Sequence, residues 1–228
     1  QTLMTVKGDI DYPVKHVAFK GINFQHTTWL RPSQAGHVAL QAGMYLLDAY
    51  KLKIPGTPDK KGMENQGWIG RQPAGVELQF VENTKFERCN FSHMAATGLD
   101  YIRATNYDTI IGCTFKDIAG TGIQAGVYAD EGFETHLPYK PVDERILCRN
   151  LRISNNYINN VTNEDWGCVG ISAGCVQGIY IDHNEVSDVS YSGICVGWGW
   201  TRTVGAMRHN RIYKNLGHHY AKPMDDEV

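Results

Sequence analysis

The sequence lacks several features, and each absence excludes something. No apolar run in its 228 residues approaches the ~18 that a membrane-spanning helix needs, so no membrane span is expected. An excess of basic charge is also missing, because 22 Lys and Arg face 24 Asp and Glu for a formal net charge of -2. Phosphate backbones require the opposite balance, so nucleic acid is not the expected partner. None of the six cysteines, Cys89, Cys113, Cys148, Cys168, Cys175 and Cys195, stands in a CxxC pair. A zinc or redox centre is therefore not expected; neither metal nor cofactor is assigned, and the thiols read as small buried side chains. The opening "QTLMTVKGDIDYPVKHV" has no charged start, apolar centre or cleavage site of a signal peptide. The expectation is a chain that begins after a targeting segment or inside a longer protein.

What is present is a repeat. The pattern hydrophobic, two variable, Cys or Asn, one variable, hydrophobic recurs as "FERCNF" at Phe86, "IIGCTF" at Ile110, "ISNNYI" at Ile153, "IDHNEV" at Ile181 and "MRHNRI" at Met207. "FKGINF" at Phe19 places Ile22 in the same slot. The steps between the Cys/Asn positions are 24, 43, 28 and 26 residues, and the long step holds the charged, proline-containing "VYADEGFETHLPYKPVDER", which reads as a loop inserted at 127–145. A second column follows the first: "GVELQF" at Gly75, "GLDYI" at Gly98, "GIQAG" at Gly122, "GISAG" at Gly170 and "GICVG" at Gly193. Each is a short alternating strand entered through glycine.

Short strands repeating every ~24 residues with no helical period between them predict an all-β protein, a right-handed parallel β-helix, as one domain over 1–228 that is expected to be a fragment of a longer solenoid. Coils in such a fold stack at about 4.8 Å, so residues one period apart become neighbours. Asn156, Asn184 and Asn210 are expected to form an amide ladder, with Cys89 and Cys113 in the same slot on earlier coils. The repeat is lost over a second insertion at 25–74, whose His26, Trp29, His37 and Trp68 either wall a binding site or cap the apolar end of the coil.

Chemistry is sought in the polar columns. Four residues after the Cys/Asn slot stand His93, Asp117, Asn160, Asp188 and Lys214, and turn chemistry accounts for Asp117 and Asn160. Asp188 introduces "VSYSGICVGWGW", where Trp198 and Trp200 alternate with glycine and could stack on sugar rings or pack under a loop. Asp165, flanked by Glu164 and Trp166, lies six residues before its Gly-Ile isoleucine as Asp188 does. The outward positions of the second strand give Glu77, Asp100, Gln124, Ser172 and Cys195. Glycosidases place two carboxyls ~5 to 5.5 Å apart when retaining and ~6.5 to 9.5 Å when inverting, spacings that stacked coils supply readily.

"VAFKGINFQHTTWLRPS", "GHVALQAG", "VGISAG", "IYIDHNEVSDVSYSGICVGWGW" and "HNRIYKN" together resemble the β-helix proteins of Bacteroidota, closest to glycoside hydrolase family 141. The resemblance implies an exported, periplasmic or secreted enzyme on plant cell-wall glycans of the pectic or xylan type, as an α-L-fucosidase or xylanase using a pair of aspartates. Carried onto this chain, it marks Asp188 and Asp226, with Asp225 as rival, while Asp165 enters from its place in the repeat. Trp198, Trp200, Trp166 and Trp29 are the expected sugar platforms, and His93, Asp100, His183 and His218 the expected hydroxyl partners of an oligo- or polysaccharide. Two other readings stay open: a polysaccharide lyase of the pectate-lyase-like β-helix type, and a non-catalytic carbohydrate-binding β-helix.

Overall fold

The computed structural model describes residues 2–46, 69–128, 140–199 and 205–222. Over them the chain winds through a first, a second and a third sheet in turn and then returns to the first, and every pairing inside these sheets is parallel. Six coils are described. Their first-sheet strands are Met4–Lys7, Ala74–Glu82, Thr97–Asn106, Ile123–Ala125, Ile171–Ala173 and Ile194–Val196. The second sheet stacks Ala18–Lys20, Lys85–Glu87, Thr109–Ile111, Arg152–Ser154, Tyr180–Asp182 and Arg211–Tyr213. The third stacks Asn23–Gln25, Asn90–Met94, Thr114–Ile118, Tyr157–Val161, Glu185–Val189 and Leu216–Tyr220. This is the right-handed parallel β-helix that the periodicity predicts.

Register turns the sequence repeat into contact. Phe19, Phe86, Ile110, Ile153 and Ile181 pair in one inward column, and Phe24, Phe91, Phe115, Ile158 and Val186 in another. The rings stack at about the rise of the coil: Phe91 lies 4.6 Å from Phe115 at 2° and Phe19 4.7 Å from Phe86 at 18°. Period-two alternation along each strand puts these side chains inside, where all but the partly buried Phe19 of the first coil are buried and supply the hydrophobic stabilisation.

The corners are sharp because one residue at each enters the left-handed region. Arg88, Asn155 and His183 do so between the second and third sheets, and His26, His93, Asp117, Asn160, Asp188 and His219 after the third. Asn and Asp tolerate that conformation best, which accounts for several of these positions.

The amide ladder is present with one correction. Asn156 N–H and Nδ2 donate to Asn184 Oδ1 at 3.0 and 2.9 Å, and Asn184 N–H and Nδ2 donate to Asn215 Oδ1 at 3.0 and 2.9 Å. Cys113 N–H donates to Asn156 Oδ1 at 2.9 Å, and Cys89 N–H to Cys113 Sγ at 3.4 Å. The last rung is thus Asn215, not Asn210, because Ile181 pairs with Ile212. Asn210 caps a different corner, where its Oδ1 accepts from Ile179 N–H at 3.1 Å. The same shift puts His219 in the place assigned to Lys214.

Between Gln25 and Ala74 the described residues form a helix, Arg31–Ala35, and an antiparallel sheet of Ala39–Leu40, Met44–Leu46 and Ile69–Arg71. That sheet lies over the outward face of the first sheet, where Ala42, Met44 and Ile69 pack with Tyr128 and Trp198 in a second, smaller core. Backbones approach closely here: Gly43 N–H donates to Gly167 O at 3.2 Å, and a Cβ on Gly167 would collide with Leu40 O. All six cysteines carry free thiols, and only Cys195 is less than fully buried.

Candidate active site

Where the third sheet turns into the first, the insertion closes over the corner and leaves a cleft of about 590 Å³. One wall is the left-handed column. His93 and Asp117 project outward from successive coils, His93 Nδ1 bonds to Asp117 Oδ2, and Asn163 Nδ2 donates to Asp117 Oδ1 at 3.2 Å. His26, one coil before, stacks on His93 with centroids 5.1 Å apart and planes 9° from parallel. Both His93 and Asp117 remain half-exposed.

The opposite wall comes from the insertion, with Trp29, Pro32 and His37. His37 Nε2 lies 2.7 Å from Asp165 Oδ2, which also accepts from Gln72 Nε2 at 2.5 Å, while Asp165 Oδ1 accepts from Gly167 N–H at 2.9 Å. His37 Nδ1 is buried with no hydrogen-bond partner among the described residues. Opposite a carboxylate oxygen, the ring Nε2–H is the donor of this pair. Trp29 meets the His37 ring edge-on at 5.3 Å and also packs on Tyr45 at 5.5 Å. Met94, Ala95 and Ala119 give an apolar floor, and Glu164 stands exposed at the rim. The cleft thus joins two His–carboxylate pairs, one open to solvent and one sealed.

The two carboxylates differ because coil four is longer at this corner. Ile123, Ile171 and Ile194 are paired in register, yet 161–171 holds five more residues than 189–194. Those extra residues carry Asp165 off the corner and under the insertion, so the column partner of Asp117 and Asp188 is Asn160.

Other expected site residues lie elsewhere. Asp188 stands in the corner column two coils beyond Asp117, outside the cleft lining, with Oδ2 accepting from Asn159 Nδ2 at 2.6 Å. Trp198 was expected as a sugar platform, but it is buried edge-on against Tyr128 at 5.3 Å because the insertion covers its strand. Asp100 was expected to meet a hydroxyl, but it is 1% exposed and held by Arg71, whose Nε donates to Oδ2 at 2.5 Å and whose Nη1 donates to Gly126 O at 2.7 Å. Burial pushes the Asp100 carboxyl up and Arg71 opposes it. His183 sits at the other end of the third-sheet strand, against Asp182 Oδ2 at 2.8 Å, and His218 bonds to His219 on the last coil. Neither reaches the cleft. Trp200, Asp225 and Asp226 lie outside the described residues. Among the described residues, no group of three or more His, Cys, Asp or Glu is placed to hold a metal ion.

Residues 41–205 match the model of the right handed beta helix region. The chain belongs to the right-handed β-helix family. It is also similar to a solved structure from Bacteroides named "Glycoside hydrolase", with a TM-score of 0.90 and 51% sequence identity over 98% of this chain. The match spans 38% of that structure's own chain. A comparison with curated proteins returns no match. Within this β-helix the cleft is the place where carboxylates, histidines and an aromatic ring converge, and no helix among the described residues is long and apolar enough to cross a membrane.

Proposed function

We propose that this chain forms part of a glycoside hydrolase that acts on plant cell-wall glycan, of the pectic or xylan type implied by its resemblance to glycoside hydrolase family 141, outside the cytoplasm where such polymers are met. The observation that carries the reading is the corner column: His93, Asp117 and Asp188 stand outward on coils of a β-helix, beside a cleft walled by Trp29 and His37, in a chain half identical to a glycoside hydrolase. Glycosidic hydrolysis needs one carboxylic acid to protonate the leaving oxygen and one carboxylate to activate water or attack the anomeric carbon.

Asp117 and Asp188 have the exposure to reach a substrate. Asp165 is occupied by three donors and nearly buried, so its work is to hold His37 and the insertion in place. Asp226 keeps the role the family resemblance implies for it, as partner to Asp188. Trp29 offers an apolar face for a sugar ring against the cleft wall.

A lyase would need free basic charge at a uronate carboxylate. Arg71, which the insertion brings over the first sheet, is already paired with Asp100, so that reading loses support. Incubating the protein with pectic and xylan polysaccharides and measuring new reducing ends tests the proposal. New reducing ends without absorbance from a carbon–carbon double bond are expected; unsaturated products would make it a lyase, and binding without products a carbohydrate-binding module.

A further inference from the structure

Immediately beyond the cleft, two large aromatic side chains stay at the surface. Trp166 is 49% exposed and Tyr191 39%, and their rings meet edge to face at 6.5 Å and 88°. Trp166 follows Glu164 and Asp165, which line the cleft, and Tyr191 occupies the same corner one coil later. The pair is held in place: Gln41 of the insertion donates through Nε2 to the Tyr191 hydroxyl at 2.9 Å. The same insertion therefore positions His37 in the cleft and Tyr191 outside it.

We propose that Trp166 and Tyr191 form a second sugar-binding subsite, and that the ligand is an extended oligosaccharide lying parallel to the β-helix axis. The inference rests on the glycan reading above and deepens it. From His93 on coil two to Tyr191 on coil five there are three coil steps, about 14 Å at about 4.8 Å each. A single sugar cannot cover that length, whereas a chain of several rings can. Exposed aromatic faces suit the apolar C–H faces of such rings, and a hydroxyl already tethered to Gln41 keeps the tyrosine ring from turning away.

The test uses xylo-, manno-, arabino-, galacto- and galacturono-oligosaccharides of increasing length, with binding followed by tryptophan emission and cleavage by chromatography. Wild-type protein should bind one series with affinity that rises with length. Trp166→Ala should fold normally, bind the shortest member as before, and lose about tenfold in affinity for the longer ones, with Trp166→Tyr restoring most of it. Equal loss at every length, or no loss at all, overturns the subsite and leaves the glycosidase reading standing. If no series is bound or cleaved by the wild-type protein, the glycan reading falls and the subsite falls with it.

Discussion

The two ends of the third-sheet strands are built alike and behave oppositely. At the entry, Asn156, Asn184 and Asn215 turn their amides along the stack and satisfy the backbone of their own and neighbouring coils: Asn184 Nδ2 donates to Ile153 O at 2.9 Å as well as to the next rung. At the exit, His93, Asp117 and Asp188 face outward and leave polar atoms for something else. Both corners solve the same problem, bending a strand in one residue. Polar side chains at the entry are absorbed by the fold, while those at the exit are surplus to it, and surplus polar groups beside a cleft are where function is to be sought.

The largest effect that would break this comparison is expected at the entry. Asn184→Ala removes an acceptor used by Asn156 and two donated bonds from a buried site. Leaving these groups unpaired should cost about 3 to 5 kcal/mol, read as a lower urea midpoint. At the exit, Asp117→Asn and Asp188→Asn should each change stability by less than about 0.5 kcal/mol. Turnover should fall about a hundredfold or more if either carboxylate transfers a proton. Full activity in the Asp188 variant would remove it from the chemistry; a large stability loss in either variant would make the exit corner structural, like the entry.

His37 separates the sealed pair from the open one. His37→Ala removes one of the donors on Asp165, one contact of Trp29 and one of Tyr45, so the insertion should loosen over the coil. The expected result is protease cleavage within residues 26–46 at concentrations the wild type resists there, with a global loss of only about 1 to 2 kcal/mol. Unchanged protection would show that Gln72 and Gly167 hold Asp165 alone.

The repeat was legible because stacking makes distant residues equivalent, so Phe86, Ile110, Ile153 and Ile181 stand in one sequence slot and one spatial column. It slipped on the last coil because two corner asparagines, Asn210 and Asn215, lie five residues apart and both receive a backbone N–H from the coil before. The insertion was illegible for the opposite reason. Its contacts occur once, so nothing in the periodicity says that Arg71 will cover Asp100, that Ala42 and Met44 will help bury Trp198, or that Gln72 will reach Asp165 across 93 residues. Trp29 and His37 suggested a wall by composition alone; their partners had to be seen.

The remaining corner, between the first and second sheets, supplies its own control. Asp108 Oδ1 accepts from Thr84 N–H and from Thr84 Oγ1, both at 2.7 Å, in the place where Asn210 serves Ile179. Asn210 also donates through Nδ2 to Val176 O at 3.1 Å, whereas Asp108 Oδ2 is buried with no hydrogen-bond partner among the described residues. Burial pushes the Asp108 carboxyl up to about 7, against the Thr84 hydrogen bonds that favour its charge. A folded value above the unfolded one means that the folded state holds the proton more tightly, so stability is greatest in acid and falls as pH rises from about 4 to about 7. Asp108→Asn supplies the missing donor, with Val81 O in the matching position, and removes the charge. It should stabilise the protein by about 2 kcal/mol at pH 8 and by little at pH 4, measured as urea midpoints. An equal gain at both pH values would mean that the added hydrogen bond matters and the buried charge does not; a loss at pH 8 would show that this corner needs its carboxylate, and would place it with the open corner rather than the closed one.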